Sequence, residues 1–424
     1  MDVIETYGNI IKKLAPAHQT AALRMIKAGL TLEKFRTKHL ADKKIPGAYR
    51  YLNHYAVAKV LEALKHPENT AWANIFAPVE ILQAFGLNSL SVECLSSFLS
   101  GLRMEDYCLD YAENEGMAST LCSYHRTFIG AADAGIVPPA AFSVTTSTIC
   151  DGNLNTFRHL SERHGVPFVF LDIPMEDSSE ANDYVVLQLR ELIAQLEDQF
   201  HKKLDMQELS EILRRENRSK QYYEEALRLM RTKAYPSTLT LQMYMLFATH
   251  LNIGEPGIEQ FFKQMRDELQ TAPVFHGTNI LWVHLIPWYQ PTLQSYFNLS
   301  DDYQILTTEM NLDYRKALDA EDPLRSLADK MINNVFTRSY ERKTALVCDL
   351  AKELAPDGVV QFCHWGCKQS SGGAMLLKEA MRERDIPFLI LDGDGMDRSN
   401  TPDGQIRTRF EAFLEILEQR KEQP

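Results

Sequence analysis

Two distant stretches of this chain run through the same series of elements, and that repeat constrains the fold more than any other feature. The first runs from Phe142 to Cys150, through a helical run, to Gly165-Val-Pro-Phe-Val-Phe-Leu-Asp172 and a helix containing Gln188-Leu-Arg-Glu-Leu. The second runs from Val359 to Cys367, through a helical run, to Asp385-Ile-Pro-Phe-Leu-Ile-Leu-Asp392 and Gln405-Ile-Arg-Thr-Arg-Phe-Glu411. Strands separated by helical segments make βαβ units, and repeated βαβ units require a mainly parallel sheet with helices on its faces. Cys150 and Cys367 hold equivalent places in the two copies, at the carboxyl end of a strand, where open α/β sheets put their ligands.

With 424 residues the chain is too long for one core. Apolar residues recur at helical spacing through residues 1–65, which read as a helical leader. An α/β domain over residues 66–200 carries Cys122 and Cys150, a helical segment spans 201–271, and a second α/β domain over 272–424 carries Cys363 and Cys367. The expected class is therefore α/β: two Rossmann-like parallel-sheet domains with a helical leader and a helical insert.

A net charge of −12 without any basic stripe argues against nucleic-acid binding, while leaving room for a local basic pocket. No apolar run approaches the roughly 20 residues that cross a bilayer, and the N-terminus lacks a signal-peptide pattern, so a cytoplasmic protein without membrane contact is expected. Seven cysteines in such a chain point to metal or redox chemistry, or to simple burial, rather than to disulfides.

Cys367 follows an apolar strand and precedes a Gly/Ser turn and a helical run, which sets it at a helix N-terminus where backbone amides favour the thiolate. Cys122, in Leu121-Cys-Ser-Tyr-His-Arg, and Cys150 also fall at breaks between elements. Three soft ligands from separate loops suit an iron–sulfur cluster with one iron left open. Zinc is the competing metal, but structural zinc sites gather close cysteine pairs, and the nearest pair here is Cys363 and Cys367. Cys94 opens a probable helix and is a weaker candidate; Cys108 and Cys348 read as packing residues.

His125, His364, Lys368 and Gln369 flank these cysteines and are the candidate catalytic set, able to orient a substrate or move protons. The acidic Asp392-Gly-Asp-Gly-Met-Asp397 fails the calcium-loop pattern, with Met396 at its fifth position and Asp403 at its twelfth. No P-loop, dinucleotide fingerprint, nucleophile elbow or H-E-x-x-H is present.

Cys122-Ser-Tyr-His-Arg, Thr148-Ile-Cys-Asp151, His364-Trp-Gly-Cys-Lys-Gln-Ser-Ser-Gly372 and the stretch from Ile386 to Glu415 resemble the 2-hydroxyacyl-CoA dehydratase and benzoyl-CoA reductase family. The resemblance implies a [4Fe–4S] cluster on Cys122, Cys150 and Cys367, and a separate ATP-hydrolysing iron–sulfur activator that delivers one low-potential electron. The surplus cysteines, Cys363 and Cys94, resemble the double-cubane branch, whose homodimers reduce small molecules on an [8Fe–9S] cluster. That reductase is the first expectation. The alternative is an (R)-2-hydroxyacyl-CoA dehydratase subunit that eliminates water through a ketyl radical on an acyl-CoA thioester.

Overall fold

The computed structural model describes residues 3–422. The first sheet contains β1 (Thr70–Ala73), β2 (Asn88–Leu90), β3 (Phe142–Thr146) and β4 (Phe168–Leu171), in the order β2-β1-β3-β4. The second contains β5 (Thr278–Val283), β6 (Tyr303–Thr308), β7 (Gly358–His364) and β8 (Phe388–Gly393), in the order β6-β5-β7-β8. Every pairing in both sheets is parallel. The chain is α/β with two Rossmann-like sheets of one topology, so the repeat seen in the two cysteine-bearing halves extends back to the opening strand of each sheet.

Strands β3, β5 and β7 are buried along their whole length, as expected of parallel strands covered by helices on both faces. Val144 sits opposite Ala73 on one side and Val169 on the other, and Gln361 sits between Val283 and Ile390. Trp72 and Trp282 lie at corresponding places near the ends of β1 and β5 and are 1% and 0% exposed. Trp72 packs edge-on against Phe128, and Trp282 against Phe297. In each sheet the chain steps outward one way from the first strand and then back across it. The crevice between β1 and β3, and likewise between β5 and β7, therefore opens at the carboxyl ends of the strands.

The helix Gly47–Lys65 packs on Leu239–His250 and Pro256–Thr271, and Met206–Met230 packs on Pro256–Thr271 and on the short helix Val79–Ala84. No helix among the described residues is long and apolar enough to cross a membrane.

A buried charge cluster fastens these helices to the first sheet. Lys330, on the helix Pro323–Asn333, donates to Glu80 of Val79–Ala84 and, at 2.7 Å, to Glu216 of Met206–Met230. Glu216 also meets Lys220 at 2.7 Å. Burial pushes the Glu80 carboxyl up and Lys330 holds it down, so the charge on Glu80 depends on that one ammonium while Glu216 also has Lys220. The Lys330→Met variant is expected to lose about 3–5 kcal/mol of stability, the cost of leaving a buried charge unpaired. Chemical denaturation checks this, and a loss below about 1 kcal/mol would show that the cluster is effectively solvated.

Candidate functional site

Three cysteines cap three helices. Cys122 is the N-cap of Ser123–Asp133, Cys150 of Asp151–His164, and Cys367 of the single turn Lys368–Ser371. Cys150 and Cys367 follow β3 and β7, the strands beside the two crevices. All three line one cavity of about 390 Å³, whose wall also takes Ile75, His284 and Met310 from the chain leaving β1, β5 and β6. The two sheets thus present their carboxyl ends to a shared space.

The chain turns sharply to deliver each repeated cysteine. The preceding residue is left-handed in both copies, Gly366 at φ +82° and Ile149 at φ +75°. Glycine adopts this conformation freely, whereas a β-branched residue does so under strain of about 1–3 kcal/mol. Gly152 completes the Cys150 turn. Its N–H donates to Cys150 Sγ at 3.2 Å, and a Cβ there would stand 3.0 Å from that sulfur and 3.2 Å from His125 Nε2.

Each sulfur faces an imidazole: Cys122 Sγ is 3.1 Å from His364 Nε2, Cys367 Sγ 3.4 Å from His284 Nε2, and Cys150 Sγ 3.9 Å from His125 Nε2. His364 Nδ1 accepts the Gly395 N–H at 2.8 Å, so in the neutral ring the proton sits on Nε2 and points at Cys122. Burial depresses all three imidazoles, His125 to about 4, so they are neutral near pH 7.

At Cys122 and Cys150 the helix-terminus amides do not decide the state of the thiol. Burial, with the charge of Cys367 next in weight, pushes Cys150 up to about 11 despite the Gly152 amide, and raises Cys122 well above its ordinary value. Desolvation and sulfur crowding outweigh the amides here. Among the described residues no three His, Cys, Asp or Glu side chains close on one point as a single ion would require.

His125, His364, Lys368 and Gln369 all line the cavity. Cys363 and Cys94 do not. Cys363 lies within β7, 3% exposed, with its thiol donating to the Ser370 carbonyl at 3.3 Å. Cys94 is 4% exposed on the helix Val92–Gly101 and packs among Leu52, Phe98 and Tyr244. Cys108 and Cys348 are buried in the apolar core. In the acidic loop Asp394 Oδ1 accepts from the Met396 and Asp397 amides and from the Ser123 hydroxyl at 2.6 Å, which spends it on joining this loop to the Cys122 helix.

Three wall residues escape a reading of the sequence. His284 looks like the tail of a strand, Glu93 like a helix-start carboxylate, and Arg338 like a loop cation. The one usable signal is that His284 follows a buried parallel strand at its carboxyl end. Glu93 Oε2, Asn153 Oδ1 and His284 Nδ1 are buried without a hydrogen-bond partner, and all three residues line the cavity.

Paired α/β sheets bring three helix-capping cysteines to one cavity at the junction of two Rossmann-like units. Residues 74–417 match the family model described as 2-hydroxyglutaryl-CoA dehydratase, D-component, and the chain belongs to that family. It is similar to the (R)-phenyllactyl-CoA dehydratase alpha subunit of Clostridium sporogenes, 22% identical over 408 residues, covering 91% of this chain and 99% of that protein. It is also similar to the (R)-2-hydroxyisocaproyl-CoA dehydratase alpha subunit of Clostridioides difficile, 22% identical, covering 86% and 94%. The lactoyl-CoA dehydratase subunit alpha of Anaerotignum propionicum is 23% identical, covering 84% and 92%. The chain is therefore an enzyme of the dehydratase family, and these relatives favour the acyl-CoA dehydratase expectation over the double-cubane reductase.

Gly366 is where two cysteine turns touch, since a Cβ there would stand 3.0 Å from Cys122 Cα and 3.1 Å from Cys122 N. Gly366→Ala is expected to cost about 1–3 kcal/mol. Gly86→Ala, at φ +79° with nothing within 4 Å, separates strain from the clash. Thermal unfolding of the two variants checks this, and equal losses would mean that contact between the turns contributes nothing.

Proposed function

We propose that this chain is a subunit of an (R)-2-hydroxyacyl-CoA dehydratase in which Cys122, Cys150 and Cys367 hold one [4Fe–4S] cluster. The observation that carries the reading is the placement of three cysteine N-caps around one cavity, each sulfur beside a neutral imidazole. The donor set fits the group: all soft thiols, spread around a cavity, three in number so that a fourth iron stays open. Cys94 and Cys363 stand outside the cavity wall, which supports a single cubane over [8Fe–9S].

The cluster would supply a single low-potential electron to the thioester carbonyl, received from an ATP-hydrolysing activator protein. The chain's own residues do the rest. Lys368 and Arg338 on the cavity wall offer positive charge to an anionic acyl-CoA, although the chain as a whole carries −12. Glu93, its carboxyl raised by burial and its Oε2 unpartnered, is placed to take a proton from the substrate. Neutral His125 and His364 orient the sulfurs and can donate through Nε2. Because the relatives are alpha subunits, the partner chain is proposed to be a different subunit rather than a second copy of this one.

Iron and acid-labile sulfide on protein purified without oxygen test the reading, with about four iron per chain expected. About eight iron with extra sulfide would return the double-cubane reductase, and zinc alone would sink both. Cys150→Ser should lose the cluster while Cys363→Ser keeps it. Glu93→Gln should retain full iron and lower kcat for an (R)-2-hydroxyacyl-CoA by about 10²–10⁴-fold, the range of general acid–base contributions. Unchanged kcat would remove Glu93 from the proton path.

A further inference from the structure

Beneath the Cys367 turn lies an ion pair hidden from water. Lys343 Nζ stands 3.0 Å from Glu309 Oε1, and the two side chains are 1% and 0% exposed. A pair this deep recovers in attraction little more than it loses in desolvation, and apolar residues of similar volume commonly do as well. Its stability alone therefore gives little reason for it, and its hydrogen bonds give a better one.

Glu309 Oε2 accepts the backbone N–H of His284 at 2.7 Å. That residue is left-handed at φ +75°, a conformation that needs outside support in a non-glycine residue. His284 presents Nε2 to Cys367 Sγ at 3.4 Å. At the other end of the pair, Lys343 Nζ donates to the Gln369 carbonyl at 3.3 Å, two residues beyond Cys367. The ammonium also lies 5.4 Å from the centre of the Phe336 ring, and Phe336 forms part of the cavity wall. One pair thus grips both sides of the Cys367 sulfur, the histidine facing it and the turn that carries it.

We propose that the Lys343–Glu309 pair is a positioning element for Cys367, fixing the distance between that sulfur and His284. This rests on the reading of Cys367 as a cluster ligand only for its consequence at iron; the geometric part stands without it. The pair belongs to one cysteine of the three, so its removal should loosen one arm of the site and spare the others.

The test is hydrogen–deuterium exchange, read by mass spectrometry on the full chain as purified without oxygen. Lys343→Met and Glu309→Leu each leave a buried charge, so the double variant Lys343→Met/Glu309→Leu, apolar throughout, guards against misfolding. The double variant should melt at a higher temperature than either single variant. Exchange over residues 284–286 and 366–370 should be faster by about tenfold or more, the factor that a charge-assisted hydrogen bond contributes, while residues 148–153 around Cys150 keep their rate. Reduced iron-containing protein should show an altered paramagnetic resonance signal with its iron content retained. The proposal is overturned if the double variant regains wild-type exchange at both segments, because the pair would then be core filling, or if exchange rises equally around Cys150. If the wild type holds no iron, the cluster reading fails by that measurement, while the exchange comparison still decides whether the pair positions Cys367.

Discussion

Sulfur atoms crowded into one cavity do not stay together unaided. Burial favours the neutral thiol at Cys122 and Cys150, and the charge of Cys367 adds to that at both. The fold must therefore impose what local electrostatics oppose, and it does so with rigid parts. Each cysteine begins a helix, and Cys150 and Cys367 also follow strands buried along their full length. Elements of this kind hold a side chain more firmly than a free loop does, which a site with several separated ligands requires.

The two sheets solve this problem with one topology and different local chemistry. Both repeated cysteines follow a left-handed residue, but one copy uses Gly366 and the other tolerates strain at Ile149. The glycine is required where its Cα approaches the backbone of Cys122, whereas the chain at Ile149 carries a side chain and bears the strain. A similar divergence separates the ends of β1 and β5. Asn74 donates at 3.1 Å to the Thr146 hydroxyl at the end of β3, while His284 reaches beyond the end of β7 to the Cys367 sulfur. Repetition supplied the scaffold, and departures from it supplied the chemistry.

How much of this could be read from the sequence follows from the range of each signal. Strands β3, β4, β7 and β8 were legible because each is an apolar run bounded by turn residues, and the shared Pro-Phe-x-x-Leu-Asp tied β4 to β8. The strand β2 has three residues, Asn88–Leu90, which is too short for any period to show. Cys122, Cys150 and Cys367 stood out because they fall at element breaks. Cys363 and Cys94 looked similar by spacing alone; their directions, one toward the Ser370 carbonyl and one into an apolar contact, are set by tertiary packing. Glu93 and Lys343 gave no sign and His284 only its place after a buried strand, because a helix-start carboxylate, a helix lysine and a strand-end histidine are ordinary in sequence and acquire meaning only through burial.

Burial also separates the polar groups that build the site from those that face its contents. Asp394, Gln361 and Ser370 are buried with their bonds made inside the chain: Asp394 to two amides of its own loop and the Ser123 hydroxyl, Gln361 to the Ser370 carbonyl and the Tyr340 hydroxyl, and Ser370 to the His364 and Cys367 carbonyls. Such groups rigidify the walls. Glu93 Oε2, Asn153 Oδ1 and His284 Nδ1 are equally dry yet bond to nothing in the chain, and all belong to residues lining the same cavity. An unmade bond of this kind costs about 1–3 kcal/mol, and three along one wall are a standing penalty that a polar ligand would relieve. A bound molecule that brought hydrogen-bond donors to Glu93 Oε2 and Asn153 Oδ1 would turn the instability of the free site into affinity and orientation in the bound one.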